Sequence, residues 1–206
     1  MASAVDICNI ALANLGDVAN VTSVNPPEGS AQAERCAQYY PLALATVLEQ
    51  HEWGFATKRE SLAANIENDR DNWDFCYALP SSCIKIVELT NHPFPQLPPE
   101  FAKRNYDYEI GLNSKKQRCL YTNLENAVIR YISSVDESFF PASFVMAVSW
   151  KLASMLAGPI LKGAEGANMT THCEKMYMLW LNNAANLDAS QHKEMPESIP
   201  NWIARR

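Results

Sequence analysis

The chain has 206 residues with 48% hydrophobic side chains, enough to bury the core of one good-sized domain or of two small ones. A net charge of −6 and a pI near 5.2 exclude the strongly basic footprint by which proteins grip nucleic-acid phosphates. The densest basic patch, Lys115, Lys116 and Arg118, reads as a solvated strand edge.

From the N-terminus, Ser3 and Asp6 predict a capped helix start. Val5, Cys8, Leu12 and Leu15 then fall on one stripe, and Gly16 closes the helix. No charged segment followed by an apolar run is visible here, so the reading expects no secretory signal and a chain made in the cytosol. The two glycosylation-like triplets, Asn20-Val-Thr22 and Asn168-Met-Thr170, are discounted on that ground. Residues 17 to 29 read as a loop around Asn25-Pro26-Pro27, after which Ser30 caps a second helix through Cys36, Tyr40, Leu44 and Val47 to about His51. Pro41 is expected to kink or split it.

At "HEWGFATKR", His51 to Arg59, helical spacing stops and two large rings flank one glycine. Period-two alternation follows. Trp73, Phe75, Tyr77 and Leu79 are expected on one face of a strand ended by Pro80. Residues 83 to 89, 106 to 110, 117 to 121 and 127 to 132 are further strand candidates between Pro, Gly and Asn turns, so the middle third reads as antiparallel β.

The helical period returns after Asp136. Pro141 suits a first turn, and Phe144, Val148, Leu152, Met155 and Leu156 line one face until Gly158-Pro159, where the helix is expected to stop. Its other faces are apolar too. A membrane span needs about 20 apolar residues, and Lys151 interrupts this run, so a central core helix is the better reading. The last helix, about Ala164 to Asp188, carries a stripe of Cys173, Met176, Tyr177, Trp180, Ala184 and Leu187. Residues 189 to 206 form a polar tail that ends in Ile199, Trp202 and Ile203, an apolar triplet that reads as a docking element.

Chemistry-bearing motifs are missing: there is no G-x-S-x-G elbow, no phosphate loop and no dinucleotide fingerprint. The six cysteines lack C-x-x-C spacing and read as buried free thiols. None of the four histidines has another at metal-binding spacing. His172 and Cys173 are adjacent on a helix, about 100° apart, and do not face one another. Glu67, Asp69 and Asp71 read as solvated loop acids. The aromatic row at Trp73, Phe75 and Tyr77 is read as a sheet face over a core rather than a platform for bases or sugars. No catalytic residue, metal ligand or cofactor is assigned, and the chain is expected not to be an enzyme. Two competing readings are a small hydrolase or transferase without a recognisable motif, and a DNA-binding module using the aromatic strand face.

Three stretches together resemble the head-to-tail adaptor, or tail tubular protein A, family of short-tailed bacteriophages. They are "DICNIALANLGD" at residues 6 to 17, "AERCAQYYPLALATVLEQHEWGFATKR" at 33 to 59 and "RYISSVDESFFPASFVMAVSWKLASMLAGPI" at 130 to 160. Their specificity lies in their order: a helix ending in Leu-Gly, a helix ending in Trp-x-Phe, and Asp-x-x-x-Phe-Pro before an apolar helix. The resemblance implies a ring of about twelve copies closed by heterologous contacts between the portal and the tail nozzle (tail tubular protein B-like). It also implies that DNA passes through the centre without specific binding, and that the protein resides in the virion tail after assembly in the host cytoplasm.

The expected architecture is α+β. A four-helix bundle from residues 1–58 and 135–188 carries an inserted antiparallel β region at 59–134 and an extended tail at 189–206. Phe144, Val148, Leu152 and Leu156 are the expected ring or core helix positions. Trp53, Gly54 and Phe55 are read as a structural clasp between helices and strands, with Gly54 allowing the turn. Ile199, Trp202 and Ile203 are expected either to anchor the chain on the portal or to fold back on its own bundle, the two readings having equal weight.

Overall fold

The computed structural model describes residues 2–18, 20–63, 68–91 and 106–191. Among them are four α-helices and two small antiparallel sheets in one mixed fold.

Helix α1, Ala4–Asn14, begins with a full capping box: Ser3 Oγ accepts from the Asp6 N–H at 3.2 Å, and Asp6 Oδ2 accepts from the Ser3 N–H at 2.9 Å. It ends as the Leu-Gly pair predicts. Gly16 has φ +76°, its N–H donates to the Ala13 carbonyl, and Asp17 N–H reaches back to Leu12. That pairing satisfies two orphan carbonyls. Helix α2, Ala31–Gln50, is capped by Ser30 and runs unbroken through Pro41. No split occurs there, because the buried side chains Cys36, Tyr40, Ala43 and Val47 pack both neighbouring turns into the core and offset the lost backbone bond.

After a one-turn 3-10 helix at Gly54–Ala56, strand β1, Thr57–Ser61, pairs with the strand Val128–Ser133, β6. No strand is expected here from the sequence. Its Thr-Lys-Arg-Glu-Ser sequence is polar on both faces, and only pairing with the apolar β6, Val128–Ser133, makes it a strand. The other strands are β2 (Phe75–Ala78), β3 (Cys83–Thr90), β4 (Tyr108–Leu112) and β5 (Arg118–Thr122). They complete sheets of order β1-β6-β3 and β2-β5-β4. Leu89, Ile129 and Tyr131 of the first sheet and Tyr77 and Leu120 of the second share one apolar core. Arg118 joins the sheets by donating to the carbonyls of Cys83 at 2.6 Å and Ile84 at 3.3 Å; it is exposed, as expected, but sits on the central strand β5 and not at a sheet edge.

The expected row of aromatics is corrected at its first member. Strand β2 starts only at Phe75, and the turn before it rotates Trp73 onto the opposite side, against Cys76, Cys119 and Tyr121. Phe75, Tyr77 and Leu79 do pack on the shared core between the sheets.

Helix α3, Ala142–Leu161, continues past Gly158-Pro159, where the sequence predicts its end. In a last turn, proline forfeits only its own N–H bond, and the actual stop is Lys162 at φ +55°. At 20 residues the helix is long and apolar enough to cross a membrane, yet over half of its apolar window is buried in its own fold. It packs against α1, α2 and α4, the last spanning Gly163–Gln191. Phe144, Val148, Leu152 and Leu156 are fully buried, and Ala142 and Gly158 alone in α3 are exposed. An all-round apolar helix is thus consumed by its own chain.

Lys151, the charge in that helix, is held by Glu174 of α4 at 2.6 Å and lies 5.0 Å from the Tyr177 ring centre. Ser154 donates to the same carboxylate at 2.9 Å. The predicted α4 stripe is correct at Cys173, Tyr177 and Ala184, whereas Leu187 is half exposed and the buried Leu181 completes the face.

Candidate functional site

Where α2 ends, the extended backbone at His51 swings the chain so that Trp53 inserts into the helical core, 1% exposed. Its indole N–H donates to the Val47 carbonyl at 3.0 Å, so burial leaves no polar group unpaired. Trp53 and Phe55 both meet Phe144 edge-to-face with centroids 4.9 Å apart, and Phe140 closes the cluster against Phe55 and Phe144. Strand β6 contributes Ile132 to the same core. The Trp-Gly-Phe segment therefore connects α2, α3 and the first sheet.

Gly54 works differently from expectation. It is not among the residues with positive φ. Its N–H instead donates to both carboxylate oxygens of Asp188, at 3.1 and 3.0 Å, and the His51 ring lies 3.2 Å from the same carboxylate. Asp188 sits 134 residues downstream, in the last turn of α4. Sequence spacing carries no sign of this contact, and Asp188 stands out there only as a helix boundary. A cavity of about 240 Å³ opens beside it, lined by Trp53, Pro141, Phe144, Ala184, Leu187 and Asp188.

The outer face of α4 is the second feature. Met178 and Leu179 are 53% and 63% exposed on it, while Leu187, 48% exposed, lies round the helix beside the cavity at Asp188. The neighbouring exposed positions are Ala164, Ala167, Asn168, Thr171, Asn182 and Asn186. Glu174 is taken by Lys151 and Asp188 by Gly54, so Glu165 and Lys175 are the charged side chains left along this helix of 29 residues. Leu42 of α2 and Phe139, just before α3, are further exposed apolar side chains of the helical part.

The remaining predicted positions place no reactive cluster. All six cysteines are buried and free. Burial, followed by the nearby Glu174, pushes the Cys173 thiol up, and His172 beside it is exposed, so the pair offers no nucleophile. Among the described residues no group of three metal-ligating side chains occurs. Asp69 is not merely solvated, because it accepts the Tyr121 hydroxyl at 2.7 Å, a bond that holds its carboxyl below the usual range. Glu67 and the anchor triplet Ile199, Trp202 and Ile203 lie outside the described residues. Comparison with known protein families and with curated proteins finds no match.

Proposed function

We propose that the chain is a structural phage protein, a head-to-tail adaptor whose copies form a ring between the portal and the tail nozzle around the DNA channel. The observation that carries this reading is the outer face of α4. A helix of 29 residues is about 43 Å long, and this one turns a nearly uncharged face with two large apolar side chains, Met178 and Leu179, outward. The occupant we assign to that face is a second copy of the chain. Each copy carries a net charge of −6, so copies repel over most of their surface and approach at least cost where charge is sparse.

Burial of α3 within its own fold transfers the expected ring contact from α3 to α4. The four helices are read as one bundle around α3, with the two sheets as its insertion. The tail triplet is read as the portal anchor, and the Trp53 cluster as the clasp that fixes bundle to insertion. The order of the three sequence stretches supports the family, and acidic character suits a channel through which DNA slides without being gripped. We assign no catalytic or cofactor role; the alternative is a small hydrolase or transferase without a recognisable motif.

Native mass spectrometry of the protein alone, and after mixing with the portal of its phage, tests the reading. A portal complex with about one adaptor per portal subunit is expected. Failure to bind any portal ring, together with substrate turnover by the purified chain, would overturn it.

A further inference from the structure

At one end of the β2-β5-β4 sheet, a depression of about 370 Å³ opens between the turn before β2 and the end of β5. Its walls are Trp73 and Tyr106, with Asn72, Asn123 and Asp107 at the rim and Thr122 and Leu124 forming the floor. Trp73 is half-buried and held in one orientation. Its indole N–H donates to Glu109 Oε2 at 3.1 Å, and Glu109 is in turn ion-paired with Arg70. The Arg70 guanidinium lies 4.3 Å from the Tyr121 ring centre, and Tyr121 donates to Asp69. Asn123 is likewise set, since its side-chain oxygen accepts from the Asp74 N–H at 2.9 Å. The Thr122 hydroxyl donates to the Asp107 carbonyl at 2.9 Å and fixes the floor.

We infer that this depression is a binding site for a neutral saccharide. The ring faces of Trp73 and Tyr106 supply the flat apolar surface on which the C–H face of a pyranose stacks. The Asn72 amide, the NH2 group of Asn123, whose oxygen already accepts from Asp74, and one carboxylate match the paired donors and acceptors of vicinal hydroxyls. Among the described residues the wall has no Lys or Arg, and the nearby Arg70 is occupied by Glu109 and the Tyr121 ring, so phosphate, sulfate and nucleic-acid ligands find no counter-charge among them. A cationic amine would find aromatic faces and Asp107 but would leave the Asn donors without acceptors. The inference is independent of the adaptor reading, because this sheet lies apart from the helical surface assigned to assembly.

The test is saturation-transfer NMR on the full chain with neutral trisaccharides of glucose, galactose and N-acetylglucosamine, with choline and inorganic phosphate as controls. At least one trisaccharide should show transfer at millimolar concentration. Trp73→Ala should weaken that binding by about tenfold or more, the usual loss when one stacking ring is removed. Asn72→Ala with Asn123→Ala, two exposed rim changes whose fold is checked by circular dichroism, should weaken it as well. The proposal is overturned if no trisaccharide shows transfer, if choline or phosphate binds instead, or if the rim variant, correctly folded, binds as the parent does.

Discussion

Trp53 joins features that the sequence displays separately, the end of α2 and the apolar start of α3. Because its ring is fully buried and edge-to-face with Phe144, Trp53→Ala removes the largest fully buried side chain of the described core. We expect a loss of about 3 to 5 kcal/mol in urea unfolding, and an unchanged midpoint would show that the ring is dispensable. Asp188 is the complementary case. Asp188→Ala removes the acceptor for the Gly54 N–H and the neighbour of His51, and should cost about 1 to 2 kcal/mol. Asp188→Asn, which keeps one side-chain oxygen, should recover part of that in the same assay. The ring cluster was legible in sequence because Trp, Gly and Phe stand side by side. Its carboxylate was not, because a contact across 134 residues leaves no local periodicity.

Helix starts and strands with apolar alternation were legible at the level of elements because their signals are local. The Ser3 capping box, the Leu15-Gly16 stop and strands β3, β5 and β6 follow from a few adjacent residues each. Strand β1 was hidden because its own side chains are polar, and Trp73 was misassigned because a turn, not a pleat, orients it. The Lys151–Glu174 pair gives a prediction between elements. Glu174→Leu strands the Lys151 ammonium, which is mostly shielded, and should destabilise α3–α4 by roughly 1.5 to 3 kcal/mol. The double change Lys151→Met with Glu174→Leu should regain most of it, since packing replaces the pair. Across the second sheet, bonds from Arg70 and then Trp73 hold the Glu109 carboxyl below the ordinary range. A carboxylate with a lowered folded value contributes above its unfolded value and loses that contribution as pH falls through the folded one. The Trp73 indole N–H resonance should therefore shift in acid below the ordinary Glu range, and a midpoint at or above that range would contradict the bond.

Assembly belongs to the whole molecule, where two surfaces can be separated by mutation. Leu179→Asp adds a charge to the outer face of α4 without touching the core, because Leu179 is 63% exposed. The monomer should unfold at the parent midpoint, as surface changes usually leave stability within about 0.5 kcal/mol, while, on the adaptor reading proposed above, a portal complex should lose adaptor–adaptor contacts and fill incompletely. The tail needs a different cut from the one suggested by sequence. Helix α4 extends to Gln191, and Asp188 reaches Gly54, so ending the chain after Asp188 would remove a turn that positions a core contact. Ending it after Gln191 removes Ile199, Trp202 and Ile203 alone with their polar spacer and leaves every described helix whole. If the triplet is a portal anchor, this truncated chain keeps the parent unfolding midpoint but no longer joins the portal in native mass spectrometry. If the triplet instead covers the cavity beside Leu187 and Asp188, the same truncation lowers the midpoint and leaves portal binding intact. The two measurements move in opposite directions for the two roles, so one truncated chain decides whether the tail serves assembly or the monomer.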